Sequence, residues 1–269
     1  MSLLSWILFF SLIGGVLSVL AASVFLMFPD RTRSRLIPHL ISFAIGVLLS
    51  AALVGLLPHA LESPWIEDSH DVTVTVLIGL LVFFLLEKLV LWRHCHHPEC
   101  EVHTPEGEQQ AGHHHHHTVK QDASASLVLV GDGFHNFVDG VLIAAAFMTD
   151  FHLGVVTALA VAAHEIPQEV GDFAILLNSG YSTRKALVMN ILASMTTVVG
   201  ALLAYYSLQD MQHIVPFVLA VAAASFIYIA VADLIPGLHA KTDLRSSLQQ
   251  VSLILLGVVV MYGAHSSLH

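Results

Sequence analysis

Long apolar runs alternate with short polar breaks along the whole chain. Eight runs reach the roughly 20 residues that an α-helix needs to cross a hydrocarbon core. They cover about 5–28, 36–61, 72–93, 125–149, 152–178, 183–208, 212–238 and 246–266. The breaks are short except for 94–124, so a single transmembrane domain over 1–269 accounts for the chain without a separate soluble domain. The pattern predicts an all-α integral membrane protein of eight transmembrane helices. The opening run, MSLLSWILFF, has no basic stretch before it and runs on too far for a signal-peptide core; it is expected to be a retained first helix.

Composition agrees with the pattern. The chain is 56% hydrophobic and 11% charged, against about 25% charged in soluble domains. It carries 20 acidic and 10 basic residues, a net charge of −10. That balance excludes nucleic acid as a partner and fits a cationic substrate beside the lipid bilayer. Lys and Arg mark cytoplasmic loops. With eight helices and an external N-terminus, all ten bases fall on the cytoplasmic side, among them Arg31, Arg33, Arg35, Arg184, Lys185, Lys241 and Arg245. Both termini and the acidic segment 62–71 are then external, and loop 94–124 is cytoplasmic. The short loops point to a plasma (inner) membrane.

Two similar endings, GLLPHAL (55–61) and DLIPGLH (233–239), fall on opposite faces in this topology. Similar endings on opposite faces are what an inverted repeat produces. Helices 1–3 and 6–8 are thus expected to be inverted repeats around helices 4 and 5.

Helices 4 and 5 break the apolar pattern. Helix 4 carries Asp132, His135, Asn136 and Asp139; helix 5 carries His164, Glu165, Gln168, Glu169 and Asp172. Offsets of 0, 3, 4, 7 and of 0, 1, 4, 5, 8 each define one helical face. At about 1.5 Å per residue, His135 and His164 sit at similar depth near the midplane. A charged residue there costs about 2.5–3.5 kcal/mol. Neither helix has a Lys or Arg to offset its carboxylates, which leaves protons or a bound cation.

Imidazole with carboxylate suits first-row divalent metals, and zinc takes four such ligands. His135 and Asp139 face His164 and Gln168 and supply four donors. Asn136 and Glu165, rotated by about 100° on their helices, fit a second ion beside the first, and Glu169 lies close enough to join. Pro167 lacks an N–H and is expected to loosen helix 5. Gly131, Gly133, Gly140 and Gly171 are expected to let backbones approach closely.

With these residues laid out, the chain resembles the ZIP family of divalent metal-ion transporters over nearly its whole length. HNFVDG (135–140) and HEIPQEVGD (164–172) are similar to the HNFxDG and HExPHExGD signatures of one branch. LLPHALE (56–62) and FIYIAVADLIP (226–236) resemble that branch's helices 2 and 7. The resemblance implies a binuclear site, with one metal on His135, Asp139, His164 and residue 168 and the other on Asn136, Glu165 and the same residue. The sequence departs from the branch at Gln168, where the pattern has His, and an amide oxygen is a weaker, neutral ligand. Other branches place a glutamate on helix 6, where LASMTTVVG (192–200) offers threonines.

The expected function is divalent-metal transport, with zinc as the main substrate moving into the cytosol and Fe, Mn, Co and Cd as further candidates. No resident cofactor and no enzyme activity are expected, and a homodimer is compatible with the reading. The rival reading is an intramembrane zinc metalloprotease, from HExxQ against HExxH; a third is a metal receptor without transport. Loop 94–124 holds HCHHPEC, His103 and HHHHH, together nine of the chain's 19 histidines. Otherwise polar, it is expected to be disordered and to buffer or sense cytosolic metal, with Cys95 and Cys100 among its donors.

Overall fold

The computed structural model describes residues 2–94, 117–239 and 243–268. Eight helices order the described chain: α1 (Leu3–Leu26), α2 (Asp30–Leu61), α3 (Ser69–His94), α4 (His117–Thr149), α5 (Phe151–Asn178), α6 (Thr183–Leu208), α7 (Gln212–Leu238) and α8 (Leu244–Leu268). Seven are long and apolar enough to cross a membrane. The eighth, α5, has 28 residues, about 42 Å of helix; its polar stripe lowers its hydropathy, and it lies inside the bundle.

Two boundaries differ from the sequence reading. α4 starts at His117, eight residues earlier than expected, so the loop shortens to 95–116. Those residues, and with them most of both His clusters, lie outside the described part. α2 starts at Asp30 and takes Arg31, Arg33 and Arg35 into its first turns. Polar residues extend both helices past their apolar runs because a helix end in water carries no hydrocarbon penalty.

α4 and α6 pair most extensively. A Cβ added at Gly140 would overlap the Thr197 carbonyl, and one at Gly200 would overlap the Phe137 carbonyl, so each helix presses its backbone on the other. α1 joins this pair and packs against α5; α2 packs on α8, and α3 on α7. Of the four glycines expected at close approaches, Gly140 behaves so. Gly133 makes ordinary contact, and Gly131 and Gly171 meet nothing within 4 Å.

The repeat is visible in register. α2 and α7 each contain a six-residue π-helical segment, Ala51–Leu56 and Ile229–Leu234. A proline follows each, Pro58 and Pro236. Without an N–H, neither proline can donate the usual helical bond to the carbonyl four residues earlier, Val54 or Ala232. The α2–α8 contact joins Gly46 to the backbone at Ile254 and Gly257 to that at Phe43, while Gly79 of α3 meets Ala224 of α7. Corresponding positions lie 178 residues apart: 38 and 216, 46 and 224, 58 and 236, 79 and 257. The α2–α8 and α3–α7 packings are thus one contact made twice.

α5 remains an α-helix through Pro167. The expected loosening does not occur there, because the proline removes a single bond to Ala163 in a well-packed span; the wider turns fall in α1, α2 and α7 instead. Asp150 caps α5 by accepting from the amides of His152 and Leu153 at 2.8 and 2.9 Å. Asp68 accepts from the backbone amide and ring of His70 ahead of α3, which holds its carboxyl below the usual carboxylate range.

Candidate metal site

α4 and α5 run antiparallel and bring their stripes face to face. Nε2 of His135 and Nε2 of His164 lie 3.3 Å apart. Oδ2 of Asp139 is 3.3 Å from the His164 nitrogen and 3.8 Å from that of His135. Oε1 of Glu165 is 3.3 Å from His135 and 3.7 Å from His164. One ligand atom from each of the four residues lies within 4.8 Å of all the others. Asp139, His164 and Glu165 are fully enclosed, and the His135 side chain keeps 21% of its surface.

The His164 ring is held for ligation. Its Nδ1 donates to the Ala160 carbonyl at 3.0 Å, which leaves the Nε2 lone pair directed at the cluster. A metal-ligating histidine commonly uses its second nitrogen in this way. Phe226 of α7, itself buried, sets its ring edge to face against His164 at 6.0 Å. Towards the chain termini the facing helices bury a run of apolar side chains, including Leu142, Phe147, Leu153, Val156 and Val161. In the other direction Val170, Phe173 and Leu176 are buried, Gln168 and Asp172 half-buried, and Gly171 and Ala174 exposed.

A second group lies one turn further along both helices. Asp132, Glu165 and Glu169 place carboxylate oxygens within 4.8 Å of one another, and all three are buried. Glu165 therefore belongs to both groups. Seven carboxylate oxygens here are buried without a hydrogen-bond partner among the described residues: Asp132 Oδ2 and both oxygens of Asp139, Glu165 and Glu169.

The seven residues singled out in the sequence thus divide. His135, Asp139, His164 and Glu165 meet in the first group, and Glu169 enters the second. Asn136 is bonded on both sides: its amide donates to Asp132 Oδ1 at 2.8 Å, and its oxygen accepts from Thr197 Oγ1 at 2.8 Å. Gln168 is half-buried, and its amide makes no hydrogen bond among the described residues. Asp132 is visible in the stripe of α4, but its spacing alone assigns it to no ligand set. Thr197, Phe226 and the buried Asn190 beside Glu169 carry no motif of their own, and only the packing of α6 and α7 brings them in.

The comparisons with known proteins agree on one family. The family model described as ZIP Zinc transporter matches residues 2–264. Zinc transporter zipt-7.1 of Caenorhabditis briggsae is 31% identical over 312 residues, covering 96% of this chain and 78% of that protein. Zinc transporter ZIP13 of Gallus gallus is 29% identical over 273 residues, covering 86% and 75%. Zinc transporter ZIP10 of Homo sapiens is 41% identical over 120 residues, covering 44% of this chain and 14% of its own.

Proposed function

Because this chain belongs to the ZIP zinc transporter family, we propose that it carries divalent metal ions, zinc foremost, into the cytosol through the cluster between α4 and α5. The observation that carries the reading is the set of seven buried, unbonded carboxylate oxygens beside two imidazoles. Unpaired carboxylates in an apolar interior are strongly disfavoured. A divalent cation offsets that cost, and two imidazole nitrogens with two carboxylate oxygens match the donor set and number zinc takes.

We take Glu165, rather than Gln168, as the shared ligand of two stations. The upper station is His135, Asp139, His164 and Glu165; the lower is Asp132, Glu165 and Glu169. An ion moves between them by exchanging the two Glu165 oxygens, so the carboxylate stays occupied at every step. The lower, all-oxygen station suits zinc less well, which favours release toward the half-exposed Asp172. The buried apolar run on the terminus-bearing side and the half-buried Gln168 and Asp172 opposite support release toward the basic loops, taken as cytoplasmic in a plasma membrane. A potential of 100 mV, inside negative, then favours inward movement of a divalent ion by about 4.6 kcal/mol.

The protease reading finds no support. In HExxH proteases the glutamate stays off the metal as general base, whereas here Glu165 reaches both histidines of the cluster, and the fifth position is Gln168.

Zinc uptake into liposomes containing this protein alone tests the function. His164→Ala and Asp139→Ala should each abolish uptake in protein that inserts normally. Near-normal uptake by both variants would remove the cluster from the path. Uptake absent from the unaltered protein, with zinc still bound, would favour a receptor.

A further inference from the structure

A cavity of about 440 Å³ opens between the first turns of α2 and α8, at the basic end of the molecule and away from the metal site. Arg35 and Arg245 line it from opposite helices, with His39, Ser42, Ser246 and Gln249 beside them. Neither guanidinium has an ion-pair partner among the described residues; Arg33, which points elsewhere, pairs with Asp30. Among the described residues, no carboxylate lines the cavity. Asp243, the acid nearest in sequence, caps α8 by accepting from the Ser246 amide at 3.0 Å. Nδ1 of His39 donates to the Arg35 carbonyl at 2.6 Å, which fixes the ring on the cavity wall.

Two unpaired guanidiniums facing one space repel a metal cation and attract an anion. Arginine forks match phosphate oxygens two at a time, and the neighbouring hydroxyls and amide donate to the remaining ones. The volume is that of a small-ligand pocket. Pro38 and Leu253 give the cavity an apolar side, and beside it α8 turns Leu248, Val251 and Leu255 outward, each more than half exposed. A polar head with an apolar tail fits that gradient. Basic pockets between transmembrane helices are a known form of anionic-lipid recognition.

We propose that this cavity is a binding site for a phosphate-bearing anion, held between Arg35 and Arg245. The headgroup of an anionic phospholipid and free phosphate share this chemistry.

The test uses the full chain purified in mild detergent, with native mass spectrometry reading retained phosphatidylglycerol against phosphatidylcholine. The unaltered protein should retain one phosphatidylglycerol in preference to phosphatidylcholine. The pair Arg35→Gln and Arg245→Gln should lower that retention at least tenfold. Arg31→Gln with Arg33→Gln removes the same charge outside the cavity and should leave retention unchanged. Millimolar inorganic phosphate that displaces the lipid, or that raises the unfolding temperature only while both cavity arginines are present, also supports the site and names the free anion as an occupant. Equal phosphatidylglycerol retention by the cavity pair and the unaltered protein overturns the proposal. So does equal loss in the two pairs, which would mean attraction to net charge alone. Zinc uptake through the central cluster is a separate readout, so failure here leaves that reading standing.

Discussion

At the residue scale, the two proposed stations make different demands on their members. Glu165 contributes to both, Asp132 only to the lower. Glu165→Gln should therefore abolish tight zinc binding altogether, whereas Asp132→Asn should reduce two bound ions to one and slow uptake without abolishing it. Equilibrium dialysis of purified variants gives the stoichiometry, and two zinc ions retained by Asp132→Asn would rule out the lower station. Thr197→Val is subtler. It deletes the hydroxyl that donates to Asn136 and leaves the amide oxygen buried and unpaired, at a cost of about 1–3 kcal/mol. Thermal unfolding should record that loss, with zinc stoichiometry unchanged. Most of the four-residue cluster was legible in the sequence, because a 3.6-residue period converts spacing into a face. That Glu165 belongs to both clusters was not, since that depends on how α4 and α5 are rotated against each other. Thr197 and Asn190 were not legible either: an isolated Thr or Asn in an apolar helix has no period to mark it.

At the element scale, the glycines separate into those that set helix spacing and those that do not. Any side chain at Gly140 or Gly200 meets a backbone carbonyl of the partner helix, which cannot turn aside as a side chain can. Gly140→Ala or Gly200→Ala should push α4 and α6 apart, destabilising the protein by at least the 1–3 kcal/mol typical of overpacking, and should weaken metal binding because α4 carries half the site. Gly131→Ala and Gly171→Ala have open space around them and should be neutral or stabilising by up to about 1 kcal/mol. Thermal unfolding in detergent ranks the four, and equal shifts would show that the α4–α6 approach is not a tight constraint. The sequence treats all four glycines alike because it shows a missing side chain but not the neighbour. Pro167 misleads for a related reason. Its local chemistry is fixed, but whether one lost bond bends a helix depends on packing around it, and α5 is held on several sides. The π segments of α2 and α7 have no sequence signature beyond the prolines that follow them.

At the scale of the whole molecule, the repeat and the charge distribution constrain each other. α2 with α3 and α7 with α8 share one register of prolines, π turns and glycine contacts, 178 positions apart. A shift in register by one residue would break both glycine contacts, so this correspondence is a property of the packing and was only hinted at by two Leu-Pro and Ile-Pro endings. The corresponding stretches of the two units differ in charge. Between α2 and α3 the sequence has Glu62, Glu67 and Asp68 and no base; ahead of α8 it has Lys241 and Asp243, and Arg245 lies in the first turn of α8. Units of the same internal structure thus carry bases at one end of the molecule and none at the other, the asymmetry expected of repeats inserted in opposite senses. The orientation is open to a direct check. Cys95 and Cys100 would first be replaced by serine, and a single cysteine then placed at Ser69 or at Thr183, both exposed at helix starts on opposite ends. In intact cells an impermeant maleimide should label Ser69→Cys at once and Thr183→Cys only after permeabilisation. The reverse pattern would put all the basic turns outside, and inward flow down the membrane potential would then run from the Asp132–Glu169 cluster toward the histidine cluster, against the proposed direction.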